Sequence, residues 1–118
     1  MTMKHFRLAK TSSMMQPDFI FGVATSSYQI EGARNSRLKA NWDTFCEKDG
    51  TIADNSNGDI SCEHVKYWQD DVAIMADIGV DAYRLSLSWC RVMLADGTVN
   101  LEGVKFYIDL FKALKAKG

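Results

Sequence analysis

The chain has 118 residues, 47% of them hydrophobic, and a formal net charge of −1. This length suits one ordinary domain, and the apolar fraction favours a globular fold over disorder. Lysine and arginine are scattered, and no apolar run approaches the roughly 18 residues of a membrane span, so neither nucleic acid nor a membrane is expected as a partner.

Residues 1–16 form a polar, basic segment that includes Lys4, Arg7 and Lys10. A secretory signal needs an apolar stretch of about 7–15 residues after its basic start, and no such stretch follows here. We therefore expect residues 1–16 to be a flexible leader and residues 17–118 to be the folded part of the chain.

The segment 19–24 is a short apolar run, Phe-Ile-Phe-Gly-Val-Ala, typical of a strand buried on both faces. Small polar residues follow at 25–27, and Tyr28, Gln29 and Glu31 then bring hydrogen-bonding groups to the carboxyl end of this strand. In parallel α/β folds, ligands bind at the carboxyl ends of strands. The pattern predicts a core strand that leads into a candidate binding loop.

A long loop, roughly residues 34–58, is rich in turn-forming residues and contains Asn-Trp-Asp-Thr-Phe at 41–45, which we expect to form a short helical turn. The first long helix is predicted over residues 62–78, capped by Asp59 or Ser61 and ended by Gly79. Its apolar face recurs at helical spacing. The residues of this face are Val65, Trp68, Val72 and Met75, widened by Tyr67, Ile74 and Ile78.

A second strand is predicted over residues 82–89, in which Leu85 and Leu87 alternate with polar side chains. A turn at Asp96-Gly97 follows, and Asn100 is expected to cap a second helix over residues 101–117. The predicted apolar stripe of this helix consists of Leu101, Val104, Ile108, Phe111 and Leu114.

The predicted order is strand, long loop, helix, strand, helix, which implies two βα repeats and an α/β fold with a parallel pair of strands. We expect residues 19–24 and 82–88 to be neighbours, with their carboxyl ends, near Ser26 and Trp89, on the same side of the sheet.

The three cysteines, Cys46, Cys62 and Cys90, have no CxxC spacing, so we expect free and mostly buried thiols rather than a zinc site or a redox pair. His64 has no second histidine or cysteine at helical spacing, and a metal site normally needs three or four ligands, so a structural role is expected. The cysteines and the leader both indicate an intracellular protein, interpreted as cytoplasmic, with no metal and no cofactor.

The stretch from Phe19 to Ala33 resembles the amino-terminal signature of glycoside hydrolase family 1, the β-glucosidases and their relatives. The positions that match are Phe19, Phe21, Gly22, Ala24, Ser26, Ser27, Tyr28, Gln29, Glu31 and Ala33. A second motif, Tyr-Arg-Leu-Ser-Leu-Ser-Trp at 83–89, also resembles the family, as does Trp-Asp-Thr-Phe at 42–45. Cys90 stands where the family usually has proline before Arg91, which we expect to loosen the turn after the strand.

The resemblance implies that residues 17–118 are the first two βα repeats of a (β/α)8 TIM barrel, a fold that typically needs about 250 residues. It also implies hydrolysis of β-linked sugars with retention. The two catalytic carboxyl groups of the family are glutamates within Asn-Glu-Pro and Glu-Asn-Gly, and neither tripeptide occurs in this chain. None of the four glutamates is therefore nominated as catalytic; they are Glu31, Glu47, Glu63 and Glu102.

Two residues carry over from the family as site residues. Gln29 matches the glutamine that binds two sugar hydroxyls, for which an amide suits because it offers both a donor and an acceptor. Arg84 matches the arginine beside the nucleophile, where a fixed cation favours the ionised carboxylate. The expected partners are a β-glycoside or oligosaccharide substrate, and either another chain that supplies the remaining repeats or further copies of this chain.

Three alternatives stay open. A small flavodoxin-like binding domain would need a glycine-rich phosphate loop, and the spacing of Gly22 and Gly32 disfavours it. A non-catalytic barrel fragment that associates through its strand edges fits the length of the chain. A 6-phospho-β-glycosidase of the same family would differ mainly in later loops.

Overall fold

A computed structural model of the chain describes residues 7–118. The elements are β1 (Gly22–Thr25), α1 (Ser27–Ile30), α2 (Asn41–Cys46), α3 (His64–Ile78), β2 (Ala82–Leu85), α4 (Trp89–Val92) and α5 (Leu101–Ala116), with 3-10 turns at Ser13–Met15 and Arg34–Ser36. None of these helices is long and apolar enough to cross a bilayer. The first six residues of the predicted leader lie outside the described residues, so its flexibility stays a prediction.

The two strands pair in parallel, as predicted, with Gly22 opposite Ala82 and Thr25 opposite Leu85. Their carboxyl ends therefore lie on the same side. Both strands are shorter than predicted, because the backbone pairs only over four residues and then turns into α1 or into the segment that leads to α4. The prediction that 19–21 and 86–89 belong to the strands is wrong.

The sheet has one face against the helices and one bare face. Val23, Thr25, Tyr83 and Leu85 are partly buried, and the residues between them are exposed. The prediction of a first strand buried on both faces is therefore wrong for this chain, in which Phe21 keeps 45% of its surface exposed. A strand of a closed sheet gains its second cover from other strands, and β1 has one neighbouring strand within residues 7–118.

The core lies between α3, α5 and β2. Val72, Tyr107 and Leu110 are its fully buried apolar side chains. The partly buried residues packed against them include Trp68, Met75, Leu85, Val92, Phe106, Ala113 and Leu114. The predicted inward face of α3 is confirmed through Trp68, Val72 and Met75, whereas the predicted widening is wrong. Tyr67, Ile74 and Ile78 are exposed.

The predicted apolar stripe of α5 is confirmed only in part. Leu114 packs against the core and Val104 is partly buried, but the helix turns mainly a different face to the core. Its buried residues are Gly103, Tyr107 and Leu110, at i, i+4 and i+7. Leu101, Ile108 and Phe111 are exposed. This helix therefore has two apolar stripes, one packed on α3 and the other uncovered.

The structure differs from the predicted helix caps at the amino terminus of α3 and agrees with the predicted positions at the other two ends. Glu63, in the left-handed conformation with φ of 52°, precedes α3, so neither Asp59 nor Ser61 is its N-cap. Gly79 ends α3 with φ of 72°, as predicted for a left-handed glycine. Asn100 does precede α5, but its side-chain amide donates to the carbonyl oxygen of Arg91 at 2.9 Å instead of accepting from the helix.

The cysteines are free, as expected, but none is fully buried: Cys62 is exposed and Cys46 and Cys90 are partly buried. The segment after β2 is a regular helical turn, α4, in which the Cys90 carbonyl accepts from the amide of Leu38 at 2.8 Å. The expected loosening by Cys90 is not seen, because this bond ties the turn to the loop before α2.

Gly103 is the closest approach between α5 and the segment before it. A Cβ built on this glycine would lie 2.0 Å from the carbonyl oxygen of Arg91, a distance that no packed structure tolerates. The absence of a side chain therefore sets how near α5 comes to Arg91 and, through it, to the end of β2.

We predict that Gly103→Ala destabilises the chain by about 1–3 kcal/mol, the usual cost of overpacking. In an open helix the same change would stabilise by about 0.5–1 kcal/mol, so the expected sign is opposite. The measurement is the midpoint of urea unfolding, with Lys112→Ala on the exposed face of α5 as control. Stabilisation by Gly103→Ala would contradict the close approach.

Candidate functional site

Gln29 lies in α1, the single helical turn that follows β1, and its side chain is exposed. Its backbone is held on both sides: its amide donates to the carbonyl of Ser26 at 3.0 Å, and its own carbonyl accepts a hydrogen bond from the Ser61 hydroxyl. Within residues 7–118, the side-chain amide of Gln29 has no hydrogen-bond partner. Its donor and acceptor are thus both free for a ligand.

An open cleft of about 340 Å³ lies beside Gln29. Aromatic residues form one side of it: Tyr28 stacks on Trp42 with ring centroids 6.0 Å apart, and Trp42 meets the edge of Phe45 at 5.6 Å. The indole of Trp42 stays 52% exposed. The remaining lining combines the apolar Ile52 and the thiol of Cys46 with small or polar residues, which are Ser26, Ser56, Asn57, Gly58 and Ser61.

Tyr28 joins this cleft to the long loop. Its hydroxyl accepts from the amide of Gly58 at 3.2 Å, and the guanidinium of Arg37 lies 5.6 Å from its ring centroid. Burial, and then the thiol of Cys46, raises the pKa of Tyr28 to about 12, so the phenol is neutral at ordinary pH. The cleft wall is therefore uncharged at this residue.

Asp43 fixes α2 at the rim of the cleft. Its carboxylate accepts two hydrogen bonds from Arg37, at 2.5 and 2.8 Å, and one from the amide of Ala40 at 2.6 Å. Arg37, followed by the Ala40 amide, lowers the pKa of Asp43. This bidentate pair with the backbone bond anchors the turn that presents Trp42.

A buried ion pair joins the loop after β1 to the turn after β2. Arg91 Nε donates to Glu31 Oε2 at 2.8 Å, and the two side chains are 2% and 5% exposed. The other guanidinium nitrogens donate to the Gly32 carbonyl at 3.2 Å and the Ser36 hydroxyl at 2.7 Å. Glu31 is thus held in a structural ion pair with Arg91.

Arg84 lies on β2, opposite Ala24 of β1, on the bare face of the sheet. Its guanidinium makes no hydrogen bond or ion pair within the part of the chain that the structure describes. The structure thus places Arg84 and Gln29 on neighbouring segments. Ser86 Oγ links those segments by accepting from the amide of Ser27 at 2.8 Å.

His64 is buried, 3% exposed, with Nδ1 2.6 Å from a carboxylate oxygen of Asp71. No group of three or more His, Cys, Asp or Glu side chains among residues 7–118 is arranged to hold a metal ion. The imidazole ring of His64, at the start of α3, meets the ring of Phe106 in α5 edge-on, with centroids 6.1 Å apart, and its structural role stays a prediction.

Sequence reasoning missed the partners of Glu31. These partners are Arg91, which the sequence motif contains without indicating its contact, and Tyr107, whose hydroxyl donates to Glu31. A polar aromatic residue among the apolar residues of a helix was the available signal for Tyr107, because a buried tyrosine hydroxyl usually has a hydrogen-bond partner.

Residues 11–118 match the family described as Glycosyl hydrolase family 1. An oleuropein β-glucosidase of Olea europaea is 49% identical over 84% of this chain and 19% of its own length. A probable inactive β-glucosidase 14 of Oryza sativa is 42% identical over 90% of this chain and 21% of its own length.

The structural comparison agrees. A β-glucosidase from Exiguobacterium marinum superposes with a TM-score of 0.83 at 44% identity, over 87% of this chain and 24% of its own length. The chain therefore spans about a fifth of the length of the curated relatives it matches. Because the matching structures are (β/α)8 barrels, the predicted fold, the amino-terminal βα repeats of such a barrel, is confirmed.

Proposed function

Because the chain belongs to glycosyl hydrolase family 1, we propose that it acts as the amino-terminal part of a retaining β-glycosidase, most simply a β-glucosidase. The similarity of both sequence and structure to β-glucosidases carries this proposal. Residues 17–118 would form the amino-terminal portion of the barrel, and residues 1–16 a flexible leader. A cytoplasmic location is proposed from the three free cysteines, because disulfides are rare in the reducing cytosol.

The proposed reaction is a double displacement at the anomeric carbon of a terminal β-linked sugar. One glutamate attacks to form a glycosyl-enzyme, and the other protonates the leaving group and then activates water, with the two carboxyl groups about 5–5.5 Å apart. Neither Asn-Glu-Pro nor Glu-Asn-Gly occurs in this chain, so both glutamates would lie on later repeats. No cofactor is needed for this chemistry.

Gln29 would bind the sugar of the cleaved subsite through two hydroxyl groups. Its exposed amide, beside the open cleft and without an internal partner, supports this role. The hydrogen bonds to Ser26 and Ser61 would keep the backbone of Gln29 in a fixed position, so that only the side chain loses freedom on binding.

We predict that Gln29→Ala in the complete barrel lowers kcat/KM by a factor that corresponds to about 1–3 kcal/mol of lost transition-state stabilisation. This is the sum of two lost hydrogen bonds of about 0.5–1.5 kcal/mol each. Contacts to sugar hydroxyls strengthen in the transition state, so kcat/KM should fall more than ground-state affinity. Steady-state kinetics on an aryl β-glucoside measure this, with Gln69→Ala on the exposed face of α3 as matched control. Unchanged kinetics would remove Gln29 from the site.

Arg84 would stand beside the nucleophile, on the barrel-facing side of β2. Its position on the bare face of the sheet, without an ion pair among residues 7–118, supports this role. A cation there stabilises the ionised carboxylate and so keeps the pKa of the nucleophile low.

We predict that Arg84→Met in the complete barrel moves the acidic limb of the pH profile of kcat/KM to higher pH. The sign follows because removal of the cation favours the protonated carboxyl, so more base is needed to ionise the nucleophile. Lys112→Met, which removes a cation from the exposed face of α5, should leave the profile in place. An acidic limb that stays where it was in Arg84→Met would make this arginine structural.

The surfaces that residues 7–118 leave uncovered would pack against further barrel repeats, on another chain in the first candidate arrangement and on further copies of this chain in the second. The exposed apolar stripe of α5, with Leu101 77% exposed, and the bare sheet face support an association surface. A non-catalytic associating fragment and a 6-phospho-β-glycosidase remain the alternative functions. If the chain is part of a retaining β-glycosidase, the substrate would be a β-glycoside or oligosaccharide.

We predict that this chain alone has no glycosidase activity and does not remain a monomer. Both catalytic glutamates would be missing, and its apolar surface would drive association. The chain is purified free of host β-glucosidase and assayed on an aryl β-glucoside, while its mass is measured by light scattering. A family 1 β-glucosidase purified in parallel is the positive control. Turnover by a pure monomer would contradict this prediction.

A further inference from the structure

The hydroxyl group of Tyr107 joins three separate parts of the chain. Tyr107 belongs to α5 and is 4% exposed. Its oxygen accepts from the amide of Ser88, after β2, at 2.8 Å, and donates to Glu31 Oε1 in the loop after β1. One phenol thus connects an outer helix to the carboxyl ends of both strands.

The chemistry of this phenol suits a fixed connection. Burial, followed by the neighbouring Glu31 carboxylate, raises the pKa of Tyr107 well above its usual range. The phenol therefore stays protonated at neutral pH, where it donates to Glu31. The same oxygen still has lone pairs for the amide of Ser88, so both hydrogen bonds form together.

The connection reaches Gln29 through two residues of backbone. Glu31 follows α1 directly: its amide donates to the Ser27 carbonyl at 2.9 Å and its carbonyl accepts from the amide of Val65 at 3.2 Å. The carboxyl end of the Gln29 turn is therefore fixed by the Glu31 side chain, and the amino end by Ser27. The exposed amide of Gln29 depends on this backbone for its position.

We propose that Tyr107 is a positioning residue for Gln29, whose hydroxyl holds Glu31 and so sets where the glutamine amide meets the substrate; this inference rests on the proposed function. The aromatic ring of Tyr107 is part of the core with Val72 and Leu110 and would remain there in Tyr107→Phe. The hydroxyl, rather than the ring, therefore carries the role.

The test is a double-mutant cycle on kcat/KM in the complete barrel, with an aryl β-glucoside as substrate. Tyr107→Phe is expected to lower kcat/KM about tenfold, because small misplacements of a binding group cost one to two orders of magnitude. In the Gln29→Ala background it should have almost no further effect, since the group that it positions is gone. A purely structural role would give the same factor in both backgrounds.

Tyr67→Phe is the matched control, because it removes the same atom from an exposed tyrosine of α3, and it should leave kcat/KM unchanged. The amide of Ser88 should exchange its hydrogen faster in Tyr107→Phe, which reports directly on the broken hydrogen bond. If Tyr107→Phe lowers the yield of assembled protein, the rates are normalised to titrated active sites, and the same non-additivity with Gln29→Ala is required.

The outcomes separate the two levels of the argument. This inference would be overturned, and the proposed function left standing, if Gln29→Ala lowers kcat/KM substantially while Tyr107→Phe changes kcat/KM by the same factor with and without Gln29→Ala. Full activity of Gln29→Ala would refute the substrate role of Gln29 and this inference with it. A tenfold loss that disappears in the double variant would support both.

Discussion

The buried ion pair between Glu31 and Arg91 is the interaction on which the arrangement of both strand ends depends. Moving two charges out of water costs several kcal/mol for each ion, and only close pairing with complete hydrogen bonding offsets that cost. Here the remaining polar atoms are satisfied by Tyr107, the Gly32 carbonyl and Ser36. Because these partners come from separate segments, the pair is satisfied only when all of those segments are in place.

The sequence predicted the element types well because helical periodicity and the order of elements are local properties. It chose the wrong face of α5, because that helix has apolar residues on two faces and periodicity cannot rank them. Two residues with a physical reason to face inward would have decided it. Gly103 permits the close approach to Arg91, and Tyr107 needs a partner for its hydroxyl.

Burial was the least predictable property, because it depends on atoms that are far away in sequence or absent from this chain. The apolar run at 19–24 is typical of a strand covered on both sides, yet Phe21 is 45% exposed here. The Cα radius of gyration, 18.1 Å, exceeds the roughly 13–14 Å expected for a compact domain of this length. With three fully buried apolar side chains, the core is that of an incomplete layer.

The candidate site shows a division between side chains that are satisfied and side chains that are not. Gln29 and Arg84 were identified from sequence motifs. The network beneath Gln29 joins Glu31 to residues that are separated from it by 60 and 76 positions in the sequence, so no local pattern could reveal it. Glu31 bonds to both Arg91 and Tyr107, and Arg91 bonds further to Gly32 and Ser36, so these buried side chains hold the backbone. Within residues 7–118 the side chains of Gln29 and Arg84 make no hydrogen bond and stand on a supported backbone, which is the condition for a preorganised binding group. The structure therefore supports the backbone beneath Gln29, the group proposed to meet the substrate, and neither glutamate motif of the proposed reaction occurs in this chain.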